Sequence, residues 1–364
     1  MDCRRWKSLR AQGISLRATE LARFAGSLRI AALVLLLVAA GVFASATCAQ
    51  NAPPPAGASS PSLFESVQQQ AQKPQTPPGP AIKRDVDLVV LHTTVEDSKG
   101  QFVPDLKEAD FKVFEDKVEQ RISVFSREDI PVSMGLVIDN SGSMREKRAQ
   151  VNSAALTFVK TSNPSDEVFV VNFNDDYYLD LDRDFTSDPK ELQEALERID
   201  SRGSTALYDA VIGSLDHLKK AHKDKRVLLV ITDGDDDASR KSFEYTVKAA
   251  QQSNALIYAV GVFSEYDQSH DKRMVRHSKK ILTELAESTG GEAFFPNNLD
   301  EVQPVCTMIA HLIRNQYTLG YYPTNTDKNG AFRSVQVLVN AKGHGKLSVR
   351  TRTGYFAKGI SGAQ

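Results

Sequence analysis

Three short polar runs hold the side chains best suited to chemistry in this chain, and each follows or precedes a well-patterned element. The first, Asp139-Asn140-Ser141-Gly142-Ser143, comes directly after the apolar stretch Val132 to Ile138. The second is the loop Arg202-Gly203-Ser204-Thr205-Ala206-Leu207-Tyr208-Asp209, and the third is Thr232-Asp233-Gly234, which ends the apolar run Arg226 to Ile231. All three offer carboxylates and hydroxyls. Nothing in the chain reads as a phosphate-cradling Gly-Lys loop, a Gly-x-Ser-x-Gly elbow or a Cys/His nucleophile pair, so an enzyme is not expected. His217 and His222 are five apart, not the four that would put them on one helical face, and a zinc site is not expected there.

The elements around these runs alternate. Strands are expected at Val132 to Ile138, Val168 to Phe173, Arg226 to Ile231 and Ala255 to Val262, with an edge strand around Tyr177 to Leu181. Helical spacing covers Glu146 to Val159, Pro189 to Ile199, Ala206 to Lys219, Ser242 to Gln252 and about Ile281 to Ser288. Unbroken β-branched strands alternating with helices predict an α/β fold, a doubly wound, mostly parallel sheet covered on both faces. Ligands on such sheets sit beyond the carboxyl ends of the strands, where the strand order reverses. That is where the three polar runs fall.

Outside this region the period changes to two. Asp85 to Val95, the segments around Phe111-Lys112-Val113-Phe114 and Ile122-Ser123-Val124-Phe125, and, at the other end, Tyr317 to Tyr322, Ser334 to Val339 and Leu347 to Arg350 are strand-like. Neither flank alone has enough strands for a stable sheet, so both are expected to pair into one small flanking β-sandwich. Cys306 falls in an apolar helical pattern with Val302, Val305, Ile309 and Leu312, and is read as a buried structural thiol.

The first fifty residues read as an address. A basic n-region leads into the uncharged apolar run Ile30 to Ala46, which ends in Ala44-Ser45-Ala46. This predicts export with cleavage, so a periplasmic or extracellular location; the competing reading is an uncleaved helix anchored at the outer face of the inner membrane. Residues 51–81, with Pro53-Pro54-Pro55, Gln68-Gln69-Gln70 and Pro77-Pro78, read as a disordered tether. Before residue 47 stand seven Lys or Arg against two acidic residues, a net +5; taken from the chain's −1, that leaves about −6 for the rest. An acidic remainder argues against a nucleic-acid partner. The expected organisation is an export segment over 1–49, a linker over 50–82, an N-terminal β segment over 83–130, a central domain over 131–316 and a C-terminal β segment over 317–358.

With its three polar runs in this order and context, the sequence resembles the von Willebrand factor A family, which carries a metal-ion-dependent adhesion site written Asp-x-Ser-x-Ser, with a Thr in a second loop and an Asp in a third. The resemblance implies a Rossmann-like sheet. It also implies that Ser141, Ser143 and Thr205 are hydroxyl ligands, and that Asp139 and Asp233 are the acidic residues that reach the metal through water or at longer range. The segments Leu285 to Gly291, Arg314 to Pro323, Arg352-Thr353-Gly354-Tyr355 and Asp110 to Asp116 further resemble the VWFA-related family described from acidobacteria. Hard oxygen ligands select Mg²⁺, Mn²⁺ or Ca²⁺ over soft metals. Two carboxylates and three neutral hydroxyls leave such an ion electropositive, with a position suited to an Asp or Glu of a protein ligand. The implied function is therefore an exported, metal-dependent binding or adhesion module. The alternatives are an envelope scaffold whose metal only rigidifies loops, and a degenerate fold in which Asp139 and the serines merely cap a helix.

Other polar groups carry blander expectations. Asp235-Asp236-Asp237 reads as a solvated acidic turn, Asp209 as a loop-tying hydrogen-bond partner, and Asn174-Asp175-Asp176 as a turn. His270 and His277, around the basic stretch Lys272 to Lys280, are expected on a solvated loop.

Overall fold

The computed structural model describes residues 87–357 apart from 199 and 235. The expected export segment, the linker and Asp235 lie outside the described residues.

The chain opens with four short strands, β1 (Val89–Glu96), β2 (Phe111–Glu115), β3 (Val118–Gln120) and β4 (Ile122–Ser126). It then enters the central unit through β5 (Val132–Asp139), every residue of which is buried. There follow α1 (Arg148–Lys160), β6 (Glu167–Phe173), β7 (Tyr177–Leu179), α2 (Pro189–Glu197), α3 (Leu207–His217), β8 (Lys225–Thr232), α4 (Phe243–Ser253), β9 (Leu256–Gly261), α5 (Glu265–His270), α6 (Lys272–Thr289), β10 (Ala293–Phe294) and α7 (Val302–Arg314). The chain returns outward through β11 (Tyr317–Tyr321), β12 (Phe332–Val339), β13 (Ser348–Arg350) and β14 (Gly354–Phe356).

The central sheet has the order β10-β9-β8-β5-β6-β7, parallel except for the antiparallel edge strand β7. Alternate residues of its strands feed two cores. Leu136, Ile138, Val170, Leu229 and Ile231 pack with α1, α2 and α7, whereas Val137, Val171, Leu228 and Val230 pack with α3, α4 and α6. Burial on both faces is why these strands read as unbroken apolar runs. Gly135 lets β5 sit in the middle: a Cβ there would lie 2.4 Å from Phe169 Cζ and 2.5 Å from Leu228 Cδ2. The order reverses between β5 and β8, so the loops after these two strands border the crevice where such sheets bind ligands.

The flanks combine as one sandwich of two antiparallel sheets, β13-β1-β11-β4 and β14-β12-β2-β3. Each sheet takes two strands from each end of the chain. Leu91, Val113, Tyr317, Leu319 and Tyr321 fill the space between them. The sandwich is fastened to the central unit by polar contacts: Gln316 donates to Thr94 and to the Tyr258 hydroxyl, and Arg352 donates to Asn254 Oδ1 and to the Gln251 carbonyl.

The strand-like segments at Phe111 and Ile122, which flank the polar turn Glu115-Asp116-Lys117 and read as neighbours across it, do not pair with each other, and the expected loop at Lys272 to Lys280 is corrected. The turn at Asp116-Lys117, with φ of 46° and 69°, joins β2 to the short strand β3, and the strand beginning at Ile122 belongs to the other sheet. Val118-Glu119-Gln120 has no apolar alternation to announce it. The stretch Lys272 to Lys280 is the first half of α6 and not a loop: His277 is helical and His270 ends α5. Val275 and Ser278 are buried on the helical face continued by Ile281, Leu282 and Leu285, a stripe that the intervening basic residues disguise.

Candidate metal site

The three polar runs come together at the carboxyl ends of β5 and β8. Asp139 is the last residue of β5, and its buried carboxylate holds its own loop and the neighbouring strand. Oδ1 accepts the Ser141 N–H at 2.8 Å, and Oδ2 accepts the hydroxyl of Thr232, the last residue of β8, at 2.6 Å. The Thr232 hydroxyl in turn accepts the Gly234 N–H at 2.9 Å. Gly234 has φ +81°, and a Cβ there would press on Ser278, so a glycine directly after Asp233 lets the chain turn away tightly. Ser141 leads into a 3₁₀ turn, Gly142–Met144, and the Ser141 and Ser143 hydroxyls lie 3.0 Å apart. Ser141 is buried and Ser143 is exposed.

The second loop is stitched to the first. Gly142 N–H donates to the Gly203 carbonyl at 3.0 Å, and Arg202 N–H donates to the Asn140 carbonyl at 2.9 Å. Thr205, largely buried, is held from the third loop: its N–H donates to Asp237 Oδ1 at 2.7 Å, and its carbonyl accepts the Asp237 and Ala238 N–H groups. Asp236 Oδ2 accepts the Tyr208 N–H at 2.9 Å. The expected solvated acidic turn holds for the exposed Asp237 and is corrected for the half-buried Asp236, and both carboxylates do more than face water: they anchor the Thr205 loop and the start of α3. Asp209 ties loops as expected, accepting the Arg240 and Lys241 N–H groups. Asn174-Asp175-Asp176 is a bend, and Asp175 Oδ1 accepts the Ser204 N–H at 2.8 Å.

Electrostatics set Asp139 apart. Burial, and then the neighbouring Asp233 carboxylate, push its pKa from 3.8 up to about 7, against the hydrogen bonds from Thr232 and Ser141. Two buried carboxylates lie in each other's field with hydroxyls beside them, and among the described residues only Asp233 of the two has a cationic side chain within 4 Å. Among the described residues no three His, Cys, Asp or Glu side chains form a metal cluster, because three of the five positions here are hydroxyls. A hard divalent cation fits this chemistry.

Sequence reasoning missed two groups. Lys147 Nζ, buried in front of α1, lies 3.4 Å from Asp233 Oδ2 and 3.4 Å from Asp267 Oδ2. In the run Arg145-Glu146-Lys147-Arg148 nothing in the spacing separates this lysine from its solvated neighbours. Asn140 is braced from below, its Nδ2 donating to Asn172 Oδ1 at 2.7 Å, while Asn172 donates to Asp180 and to the Ala195 carbonyl.

The family model described as von Willebrand factor type A domain matches residues 134–235. That span begins in β5 and includes all three loops; the flanking motifs fall outside it. A search of curated proteins gives no match. Among solved structures the chain is similar to a von Willebrand factor type A protein from Catenulispora acidiphila, at 11% identity and TM-score 0.43, covering 76% of this chain and 74% of that one. It is also similar to the vWF domain of the type V pili tip protein Mfa5 from Porphyromonas gingivalis, at 11% identity and TM-score 0.42, covering 51% and 95%. A third is an aerotolerance-related membrane protein from Bacteroides fragilis, at 18% identity and TM-score 0.39, covering 50% and 98%. With the strand order, the loop positions and the family match in agreement, residues 134–235 belong to a von Willebrand factor type A domain.

Proposed function

We propose that this protein is an exported binding module that uses a divalent cation to capture an acidic residue of a protein ligand. Ser141, Ser143 and Thr205 would hold the cation directly, with Asp139 and Asp233 behind them. The observation that carries the reading is the buried Asp139 carboxylate, whose pKa is raised by burial and by Asp233 beside stitched hydroxyl-bearing loops. That arrangement is costly unless a cation shares it. A bound hard cation supplies a Lewis-acidic centre for a carboxylate. The protein's own part is to fix the hydroxyls and to keep charge compensation low, so that attraction for an acidic side chain persists. Magnesium, manganese and calcium all suit these donors.

Export follows from the basic segment, apolar run and small residues at the N-terminus. Among the described residues no helix is long and apolar enough to cross a membrane. The immobilised protein, incubated with envelope extract in Mg²⁺ and then in chelator, tests the reading. Specific partners that cross-link only with Mg²⁺, and not to Asp139→Ala, support capture through the metal. Partners retained equally in chelator would favour a scaffold whose metal only stiffens loops.

A further inference from the structure

Lys147 is the charged group that the proposed site does not use. Its side chain is only 5% exposed, and its ammonium meets three segments at once. It lies 3.4 Å from Asp233 Oδ2 on the loop after β8, 3.4 Å from Asp267 Oδ2 on α5, and donates to the Val262 carbonyl, after β9, at 3.0 Å. Asp267 is itself fixed, since its carboxylate accepts the Ser264 N–H and its N–H donates to the Ser264 hydroxyl. A lysine stem can usually carry its charge to water. Here the charge is turned inward and its partners are prearranged, one of them a residue of the metal site.

We infer that Lys147 is a positioning residue that shares Asp233 with the divalent cation, limiting how strongly Asp233 can bind the metal and keeping the loaded site electropositive. The inference rests on the metal-site reading above. Asp139 and Asp233 contribute two negative charges and Lys147, shared with Asp267, part of a positive one, so a divalent cation is less fully neutralised than it would be without the ammonium. Lys147 thereby weakens the hold on the metal and strengthens the metal's attraction for an acidic ligand. In the metal-free protein it is also the cation that offsets Asp233. The partly exposed Asp267 provides a second acceptor for the ammonium.

The test is calorimetric titration of Mn²⁺ into the purified full-length protein, Lys147→Met and Asp267→Asn, with thermal unfolding of each in chelator. Lys147→Met should bind Mn²⁺ about tenfold more tightly, because a like charge beside the ligand is gone, and should unfold at lower temperature in chelator. A purely structural lysine would lower both stability and metal affinity. Asp267→Asn leaves Asp233 as the ammonium's sole carboxylate partner and should weaken Mn²⁺ binding several-fold. Unchanged or weaker binding by Lys147→Met overturns the inference. If that variant does not fold, unchanged or tighter binding by Asp267→Asn overturns it. If the parent binds no Mn²⁺, the metal-site reading falls and takes this inference with it; if the parent binds and the variants do not diverge, the inference alone falls.

Discussion

Asp139→Asn should stabilise the metal-free protein, and by more at pH 8 than at pH 5. The Asp139 pKa is pushed from the ordinary 3.8 up to about 7 in the fold, first by burial and then by Asp233. The unfolded chain therefore gives up this proton before the folded chain does. Stability from this group falls as pH rises from about 4 to about 7 and is level above that. At about 1.4 kcal/mol per pH unit, the penalty is roughly 2 kcal/mol at pH 5 and roughly 4 kcal/mol at pH 8. An asparagine removes the charge and can keep the local bonds: its Oδ1 can accept the Ser141 N–H, and its amide can donate to the Thr232 hydroxyl, which already lies 2.6 Å from Oδ2. The advantage of the variant in chelator should thus grow by about 2–3 kcal/mol between pH 5 and pH 8. Urea unfolding of both proteins at the two pH values, with equal slopes, measures this difference. An advantage that does not change with pH, or that shrinks as pH rises, would refute the reasoning that Asp139 is a strained, proton-holding carboxylate.

Three further outcomes follow from the fold. Gly135→Ala should destabilise by about 1–3 kcal/mol through overpacking against Phe169 and Leu228, read as a lower midpoint in urea with the circular dichroism spectrum retained. Deleting residues 85–128 removes β1 from between β13 and β11, and β2 from beside β12, so the remaining strands should expose open edges and aggregate; a monomeric product with β11 and β12 protected from hydrogen exchange would contradict the shared sandwich. Burial pushes the Cys306 thiol up to about 12, so alkylating reagents at pH 8 should modify it only upon unfolding, as intact mass before and after denaturation will show.

The central sheet was legible because its strands are buried on both faces and its helices keep a regular apolar stripe. The sandwich was legible for a different reason: neither flank could stand alone, and pairing them was the economical solution. The three polar runs stood out because each abuts a patterned element, and the fold brings them to the carboxyl ends of β5 and β8; the roles proposed for Asp139, Ser141, Ser143, Thr205 and Asp233 came from the family resemblance. What stayed hidden were roles created by approach in space. Asp236 and Asp237 look like any acidic turn until the Thr205 and Tyr208 N–H groups arrive from a loop some thirty positions away. Lys147 looks solvated until the loops after β8 and β9 close over it. The start of α6 was masked because its core-facing side there is only Val275 and Ser278, set among charges that belong to the solvent side.

The central claim is that Asp139, Ser141, Ser143, Thr205 and Asp233 hold a divalent cation, and the most direct measurement is calorimetric titration of Mg²⁺ and Mn²⁺ into the purified protein and into Asp139→Ala. The account predicts one equivalent bound by the parent and a sharp loss of affinity in the variant. A variant that binds as well as the parent, or a parent that binds neither ion, would contradict it.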